Sequence, residues 1–260
     1  MRHLLNPSIN RLIKRVAQIF INTLLSLTVT IITLASANLH ADTVSDLQEL
    51  RESMTTLSNR IDHLRDISAI EKLQRSYGYY VDKQQWYDVA DLFTEDGTLE
   101  IGGRGVFLGR DRVFEYLRTG LGPIGPTTGI MHDHQQFQGI VTVSPDGMTA
   151  EGRWTAFVMG GAVWGDVTYE NDYVKENGVW KISKLRAPFN MYSSVDIGWI
   201  DRTTPNTRPE SFLPPPDLPP SVLYLTFPNY YNEPFHYPNP VTGQIAPPSD
   251  PTAGGMRFGK

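Results

Sequence analysis

Residues 70–101 read IEKLQRSYGYYVDKQQWYDVADLFTEDGTLEI and contain the pattern that decides the fold. A helix is predicted at the start, because apolar residues recur there at helical spacing: Ile70, Leu73, Tyr77, Tyr80 and Val81. The opposite side of this helix carries Tyr79, Asp82 and Trp86. Since large side chains lie on both sides, both must be covered, and periodicity does not say which side faces a pocket.

The rest of this stretch and the residues after it predict two more helices and then strands. Short helices are predicted over 86–93 and 109–117, and a glycine-rich loop over 119–130. Strands are predicted where alternating residues are bounded by turn sequences, at 99–101, 137–143, 149–159, 163–175 and 179–192. Three helices followed by long antiparallel strands predict an α+β fold in which a curved sheet wraps a helix.

Composition limits the class of protein. The chain has 260 residues, a formal net charge of −5 and 40% hydrophobic residues, which is enough for one well-packed core. A net acidic chain does not favour a nucleic-acid partner. Cysteine is absent from the sequence, which excludes disulfides, thiolate metal sites and cysteine nucleophiles.

The N-terminal segment, residues 1–41, has the layout of a bacterial export signal. Basic residues precede an apolar run over 19–37, and plausible cleavage points follow the small residues Ala37 and Ala41. The sequence therefore predicts a periplasmic or secreted protein. The alternative is an uncleaved membrane anchor, although the run only marginally reaches the length of about 20 residues needed to cross a bilayer.

Residues 42–66 predict an amphipathic helix. Its apolar residues follow a spacing close to a heptad seam: Val44, Leu47, Leu50, Met54, Leu57, Ile61 and Leu64. Because the stripe is narrow and the other faces are charged, we expect a short coiled coil that joins copies of the chain into a dimer or trimer. The alternative is a helix laid against its own domain. Ser68 and Glu71 have the spacing of a capping box that would begin the next helix.

The C-terminal segment, residues 201–260, holds most of the nineteen prolines. It also contains too many apolar residues for a free tail, among them Leu223, Tyr224, Tyr230 and Phe235. We therefore expect an extended, irregular strap that lies on the preceding domain or on a neighbouring subunit.

Two of the six histidines, His132 and His134, belong to the body of the chain. Residues two apart on a strand point to the same face, so both can enter one pocket or both can face outward. A His-x-His pair can also hold a metal ion, but that needs further ligands and the sequence offers only scattered carboxylates. No metal site is expected.

The order and spacing of several motifs resemble the SnoaL-like branch of the nuclear-transport-factor-2 (NTF2) superfamily, which includes scytalone dehydratase and bile-acid dehydratases. The resemblance covers about residues 69–192. Its matching pieces are Tyr80–Trp86, Leu92–Gly97, Gly109, His134 and Gly178–Ile182. It implies an NTF2-like cone over residues 67–200, with three helices packed in a curved antiparallel sheet and an open end that admits a ligand.

The resemblance also implies a chemistry. In the family's dehydratases a histidine abstracts a proton next to a carbonyl and an aspartate orients it; His134 and Asp82 match these two positions. Tyr79, Tyr80, Tyr169 and His132 are then candidates to bind a small hydrophobic hydroxy or keto compound. The implied function is a cofactor-independent lyase (dehydratase) or isomerase. The alternative is a non-catalytic module for ligand binding or oligomerisation, because one fold can serve either role.

Overall fold

The computed structural model describes residues 7–198, 214–227, 229 and 231–247. They fall into two compact units, one up to Ile61 and the other from Asp62 onward. The helix α1 (Pro7–Asp82) contributes to both units. Parts of the predicted export signal and strap lie outside the described residues, including residues 1–6, 199–213 and Tyr230.

The first unit is the N-terminal part of α1. Its apolar residues are exposed, and by length and composition this stretch could cross a membrane. Such a helix is compatible with an export signal or with an anchor. The side chains of the predicted heptad seam are exposed as well, for example Leu50 at 56% and Leu57 at 59%. Self-association through this seam stays a prediction.

The predicted helix start at Ser68 is wrong, because α1 runs without interruption to Asp82. No glycine or proline occurs between Asp42 and Tyr77 to break the helix. The capping potential of Ser68 is therefore not used, since the backbone N–H groups after it already have partners within the helix.

The second unit continues from the end of α1 with helices and strands in sequence. Its elements are α2 (Trp86–Asp91), β1 (Phe93–Ile101), β2 (Val106–Leu108), α3 (Arg110–Tyr116), a short π-helix (Leu117–Leu121), β3 (His132–Val143), β4 (Thr149–Gly160), β5 (Val163–Glu176), β6 (Val179–Ala187) and β7 (Phe189–Ser194).

Within the described residues, the strands form one curved sheet with the order β2-β1-β6-β5-β4-β3, and β7 also pairs with β5. The α+β class predicted from the sequence is confirmed. The expectation of a purely antiparallel sheet is wrong, because β1 pairs with β6 in parallel, with Leu99 opposite Leu185. A parallel pair needs a long crossover connection. The chain between β1 and β6 supplies one.

The predicted last strand, residues 179–192, is divided into β6 and β7 at Pro188. Proline has no backbone N–H to donate to the ladder. Its carbonyl oxygen still accepts a hydrogen bond from the N–H of Thr168 at 3.1 Å. The register against β5 shifts between Asp166 and Val167, so β7 continues along the same neighbour after the break.

The core of the second unit lies between the sheet and the helices. The apolar face predicted for the end of α1 is buried, with Ile70, Tyr77 and Val81 at most 2% exposed. Other large side chains that are fully buried include Trp86, Phe93, Leu99, Phe107, Trp154, Tyr173, Ile182 and Leu185. Burial of aromatic side chains supplies much of the apolar area removed from water.

Described parts of the C-terminal segment contact the second unit. The backbone N–H of Ser221 donates to Oε1 of Glu100 at 2.7 Å. The backbone N–H of Phe189 donates to the hydroxyl of Tyr224 at 2.9 Å. Apart from one isolated bridge at Leu218, the described residues of this segment form no regular element, in keeping with the proline content.

A glycine in β3 leads to a stability prediction. A Cβ atom added at Gly139 would lie 2.1 Å from the Trp154 ring, which is 1% exposed. Gly139→Ala is therefore expected to lower the free energy of unfolding by about 1–3 kcal/mol through overpacking. Urea unfolding of the full chain measures this. Gly160→Ala is the control, since the nearest atom to its Cβ would be at 3.4 Å. Equal stability of the two variants would contradict the prediction.

Candidate active site

A cavity of about 320 Å³ opens in the second unit. Its lining is largely apolar, with a few polar side chains directed inward. The polar or titratable lining residues are Tyr77, Arg104, Tyr116, His132, His134, Tyr169 and Tyr192. Among the described residues, the lining includes no aspartate or glutamate. A mainly apolar pocket with a few convergent polar groups is the usual form of a small-molecule site.

Asp82, the last residue of α1, lies directly behind His134, the third residue of β3. Its Oδ1 atom accepts a hydrogen bond from the backbone N–H of His134 at 2.7 Å. The same oxygen lies 3.6 Å from Nδ1 of the imidazole. Both side chains are about 15% exposed. His134 lines this cavity and Asp82 does not, whereas both line a smaller cavity of about 240 Å³ on the other side. On a molecule bound in the larger cavity, the carboxylate therefore acts through the histidine.

Gly78 explains how β3 comes so close to α1. A Cβ atom at this position would lie 2.6 Å from the carbonyl oxygen of His134. Any larger residue would push the strand away from the helix and separate Asp82 from His134. The small residue that lies beside Asp82 on the helix surface is therefore required by the packing.

The arrangement assigns different roles to the two ring nitrogens of His134. Nδ1 is buried, faces the carboxylate and has no hydrogen-bond partner among the described residues. The remaining nitrogen, Nε2, is then the atom that can accept a proton from a bound molecule. A distance of 3.6 Å is longer than a hydrogen bond. Such pairs often tighten only when a ligand is present.

His132 also lines the cavity, with its ring centroid 6.5 Å from that of His134. The two rings thus share one face of β3. Burial lowers the pKa of His132, and the neighbouring His134 lowers it further. His132 is therefore neutral at neutral pH and available as a hydrogen-bonding group. No group of three or more potential metal-binding side chains (His, Cys, Asp or Glu) occurs within the described part of the chain.

Tyr169 on β5 lines the same cavity and is 2% exposed. Its ring packs edge-on against Tyr77, with centroids 6.0 Å apart. Burial raises the pKa of the Tyr169 phenol well above its ordinary value, so the phenol is neutral and keeps its proton. A protonated phenol can donate its O–H to a hydrogen-bond acceptor. Tyr169 can therefore donate to a molecule in the cavity.

A buried network of hydrogen bonds around Gln74 lies next to the site. Oε1 of Gln74 accepts from Nδ2 of Asn171 at 2.8 Å and from the hydroxyl of Tyr173 at 2.9 Å. Nε2 of Gln74 is thereby left to donate to Oε1 of Gln136 at 3.0 Å. Because that oxygen is already an acceptor, the amide nitrogen of Gln136 is the end that can donate, and it lies 3.5 Å from the carbonyl oxygen of His134. A fully satisfied buried network of this kind is rigid.

Two of the tyrosines predicted from the sequence do not lie in the cavity. Tyr79 is 72% exposed, and Tyr80 is partly buried against the apolar core. The helix phase explains the position of Tyr79. Tyr77 faces the cavity, so a residue two positions later points about 200° away from it. Tyr79 and Tyr80 thus do not line the same cavity as Tyr169, although Tyr79 lines the smaller one beside Asp82. Their role in substrate binding stays a prediction.

Sequence reasoning missed Arg104, which lies in the turn between β1 and β2. This side chain lines the cavity, is 8% exposed, and donates from Nη1 to the hydroxyl of Tyr116 at 2.5 Å. Burial would lower the pKa of Arg104, but the nearby phenols of Tyr116 and Tyr192 outweigh this effect and raise it. The signal in the sequence was an arginine within Gly102-Gly103-Arg104-Gly105, flanked by apolar strands.

Comparison with known proteins gives one family match. Residues 62–186 match the model of the SnoaL-like domain. No curated protein matches the chain. The matched residues run from the end of α1 to the end of β6 and so include Asp82, Arg104, His134 and Tyr169.

Several solved structures are similar to the chain. One, from Novosphingobium aromaticivorans and provisionally described as a scytalone dehydratase, is 20% identical with a TM-score of 0.46, covering 55% of this chain and 98% of that one. A hexachlorocyclohexane dehydrochlorinase from Novosphingobium barchaimii is 19% identical with a TM-score of 0.46, covering 55% and 99%. A Mycobacterium tuberculosis protein of unknown function is 23% identical with a TM-score of 0.44, covering 53% and 87%.

Proposed function

Because residues 62–186 belong to the SnoaL-like family of the NTF2-like superfamily, we propose that this protein is a cofactor-independent lyase or isomerase. Its substrate is a small hydrophobic hydroxy or keto compound held in the cavity. The observation that carries the proposal is the contact of Asp82 with His134, an imidazole on the cavity wall whose buried nitrogen faces the carboxylate.

The reaction begins with removal of a proton. Nε2 of His134 takes a proton from a carbon next to the substrate carbonyl, and the electron pair of the C–H bond moves to form an enolate. Asp82 stabilises the imidazolium cation that results. The hydroxyl of Tyr169 donates a hydrogen bond to the enolate oxygen, where negative charge develops. Each group acts on charge that exists only during the reaction, which is the condition for rate acceleration.

The second step decides between the two reaction types. In dehydration, the enolate re-forms its carbonyl and expels a hydroxyl group from the carbon next to the deprotonated one. A C=C double bond forms between these two carbons as the C–O bond breaks. His134 returns its proton to that oxygen, and one water molecule leaves. In isomerisation, His134 returns the proton to a different carbon of the conjugated system. Neither route consumes an oxidant or reductant, and both regenerate the neutral histidine.

Ligand capture tests the proposal. The purified full chain is incubated with a metabolite extract, re-isolated and denatured, and the released compounds are identified by mass spectrometry. The captured compound is then incubated with fresh protein. The expected result is conversion to a product that has lost one water or has the same mass with a shifted double bond. Return of the compound unchanged would contradict the enzyme and favour a ligand-binding module.

The export of the protein and its self-association remain part of the proposal. We infer that the apolar part of α1 directs the chain out of the cytoplasm or anchors it at a membrane surface. The exposed heptad seam over residues 42–66 would then bring copies together. Both inferences rest on the same feature, a long helix whose apolar side chains lack cover.

A further inference from the structure

The end of the cavity at the β1–β2 turn is built around a buried cation. The guanidinium of Arg104 lies over the ring of Phe189, 5.7 Å from its centroid, and donates to the hydroxyl of Tyr116. The turn itself is packed tightly: a Cβ atom at Gly102 would lie 2.8 Å from the Phe189 ring. Gly102 has a φ of +56°, a conformation that favours glycine. Arg104 is therefore held in one place.

Among the described residues that line the cavity, positive charge is present and negative charge is absent. Arg104 is positive, and its pKa is raised rather than lowered. His132 is held neutral at neutral pH, since its pKa is lowered. The described lining residues include no carboxylate, whereas the chain as a whole carries a net charge of −5. In a cavity of low dielectric constant, a fixed cation favours a bound anion far more than it would in water.

We propose that the Arg104 end of the cavity binds the carboxylate of the substrate, so that the natural substrates are small aromatic or alicyclic acids. The acid group contacts the guanidinium, whose planar fork suits a carboxylate. The apolar ring fills the space lined by residues such as Ile101, Val158 and Val167. The reacting carbon then faces His134. The assignment of the reacting carbon rests on the proposed function, whereas the preference for an acid at the Arg104 end does not depend on turnover.

Paired probes of nearly equal shape test the charge preference. We choose 2-naphthoate, which is ionised at about pH 8, and the uncharged ketone 2-acetylnaphthalene. Isothermal titration of the full chain is expected to show that naphthoate binds about tenfold tighter, as one charged hydrogen bond would give. Arg104→Met should abolish this preference, and Arg104→Lys should keep most of it. Arg65→Met, at an exposed position outside the cavity, should change nothing.

A second measurement needs no loss of the arginine. The guanidinium Nε–H signals of arginine in the ¹⁵N-labelled wild-type chain are recorded by NMR during addition of each probe. The Arg104 signal is assigned by its absence in Arg104→Lys. Its chemical shift should change when naphthoate is added and should remain the same when the ketone is added. Equal affinity of the two probes for the wild type, or a preference that survives in Arg104→Met, would overturn the proposal.

The two proposals can fail separately. His134→Gln should leave the naphthoate preference unchanged, because that residue is assigned to the reacting end. Loss of turnover in His134→Gln without any naphthoate preference would leave the proposed reaction intact and refute the acid-binding end. A clear preference without turnover of any captured compound would do the opposite.

Discussion

Replacing His134 by glutamine is expected to lower kcat for the captured substrate roughly 10²- to 10⁴-fold, the usual contribution of a general base. Glutamine keeps a polar side chain of similar size but cannot take a proton. Nothing in the backbone contact is lost, because Asp82 accepts its hydrogen bond from the main-chain N–H of His134. The measurement is steady-state turnover, with circular dichroism to verify that the fold is intact.

Asp82→Asn separates the two tasks of the carboxylate. An asparagine oxygen can still accept the hydrogen bond from the backbone of His134 and so keep β3 in register. It carries no charge to stabilise the imidazolium, so kcat should fall while KM changes little. The double variant with His134→Gln should be hardly worse than His134→Gln alone, because the two residues act as a unit.

Tyr79→Phe provides the matched control for this pair of variants. Tyr79 lies on α1 only three residues before Asp82 but is 72% exposed and does not line the cavity. Its replacement should leave kcat and KM as in the wild type. Unchanged turnover in both His134→Gln and Asp82→Asn would refute the mechanism. A comparable loss in Tyr79→Phe would show that the chemistry lies elsewhere.

Trp86→Ala is expected to lower the free energy of unfolding by about 3–5 kcal/mol, the usual cost of removing a buried tryptophan. Trp86 is fully buried. Its indole N–H also donates to the carbonyl oxygens of Gly122 and Pro123, at 2.9 and 3.1 Å. The side chain thus fastens the start of α2 to the loop that leads toward Ile130 on the cavity wall.

Trp86→Phe separates the packing of this residue from its hydrogen bonds. Phenylalanine keeps most of the apolar volume and leaves two carbonyl groups without their donor, so the expected loss is about 1–3 kcal/mol. Urea unfolding of the full chain measures both variants. Tyr79→Ala is the exposed control and should change stability by less than about 0.5 kcal/mol. A loss below about 1 kcal/mol in Trp86→Ala would contradict the role assigned to this residue.

The fold of the second unit was largely readable from local patterns. The apolar spacing of Ile70, Tyr77 and Val81 predicted the buried face of α1, and turn sequences marked the ends of β4 and β5. The parallel pairing of β1 with β6 could not be read in this way, because it joins strands far apart in sequence. Neither strand carries a pattern that fixes its neighbour.

The site was less predictable than the fold. Helical periodicity predicted that both sides of α1 are covered, whereas Tyr79 is 72% exposed, and it did not indicate which side faced the cavity. Tyr79 and Tyr80 were therefore named as candidates although neither lines the larger cavity, while Asp82 was matched with His134 through the family resemblance. Arg104 was missed because a charged residue between glycines reads as a solvated turn. Only packing against Phe189 and Tyr116 makes it part of the wall.

The tautomer of His134 tests the central claim most directly. Two-bond ¹H–¹⁵N correlation spectra of the histidine-labelled full chain at about pH 8, where a free imidazole is neutral, report which ring nitrogen carries the proton. His134→Gln assigns the signal. The carboxylate of Asp82 beside Nδ1 predicts a protonated Nδ1 and a free electron pair on Nε2. A proton on Nε2 would contradict the account, because His134 could not then accept one from a bound substrate.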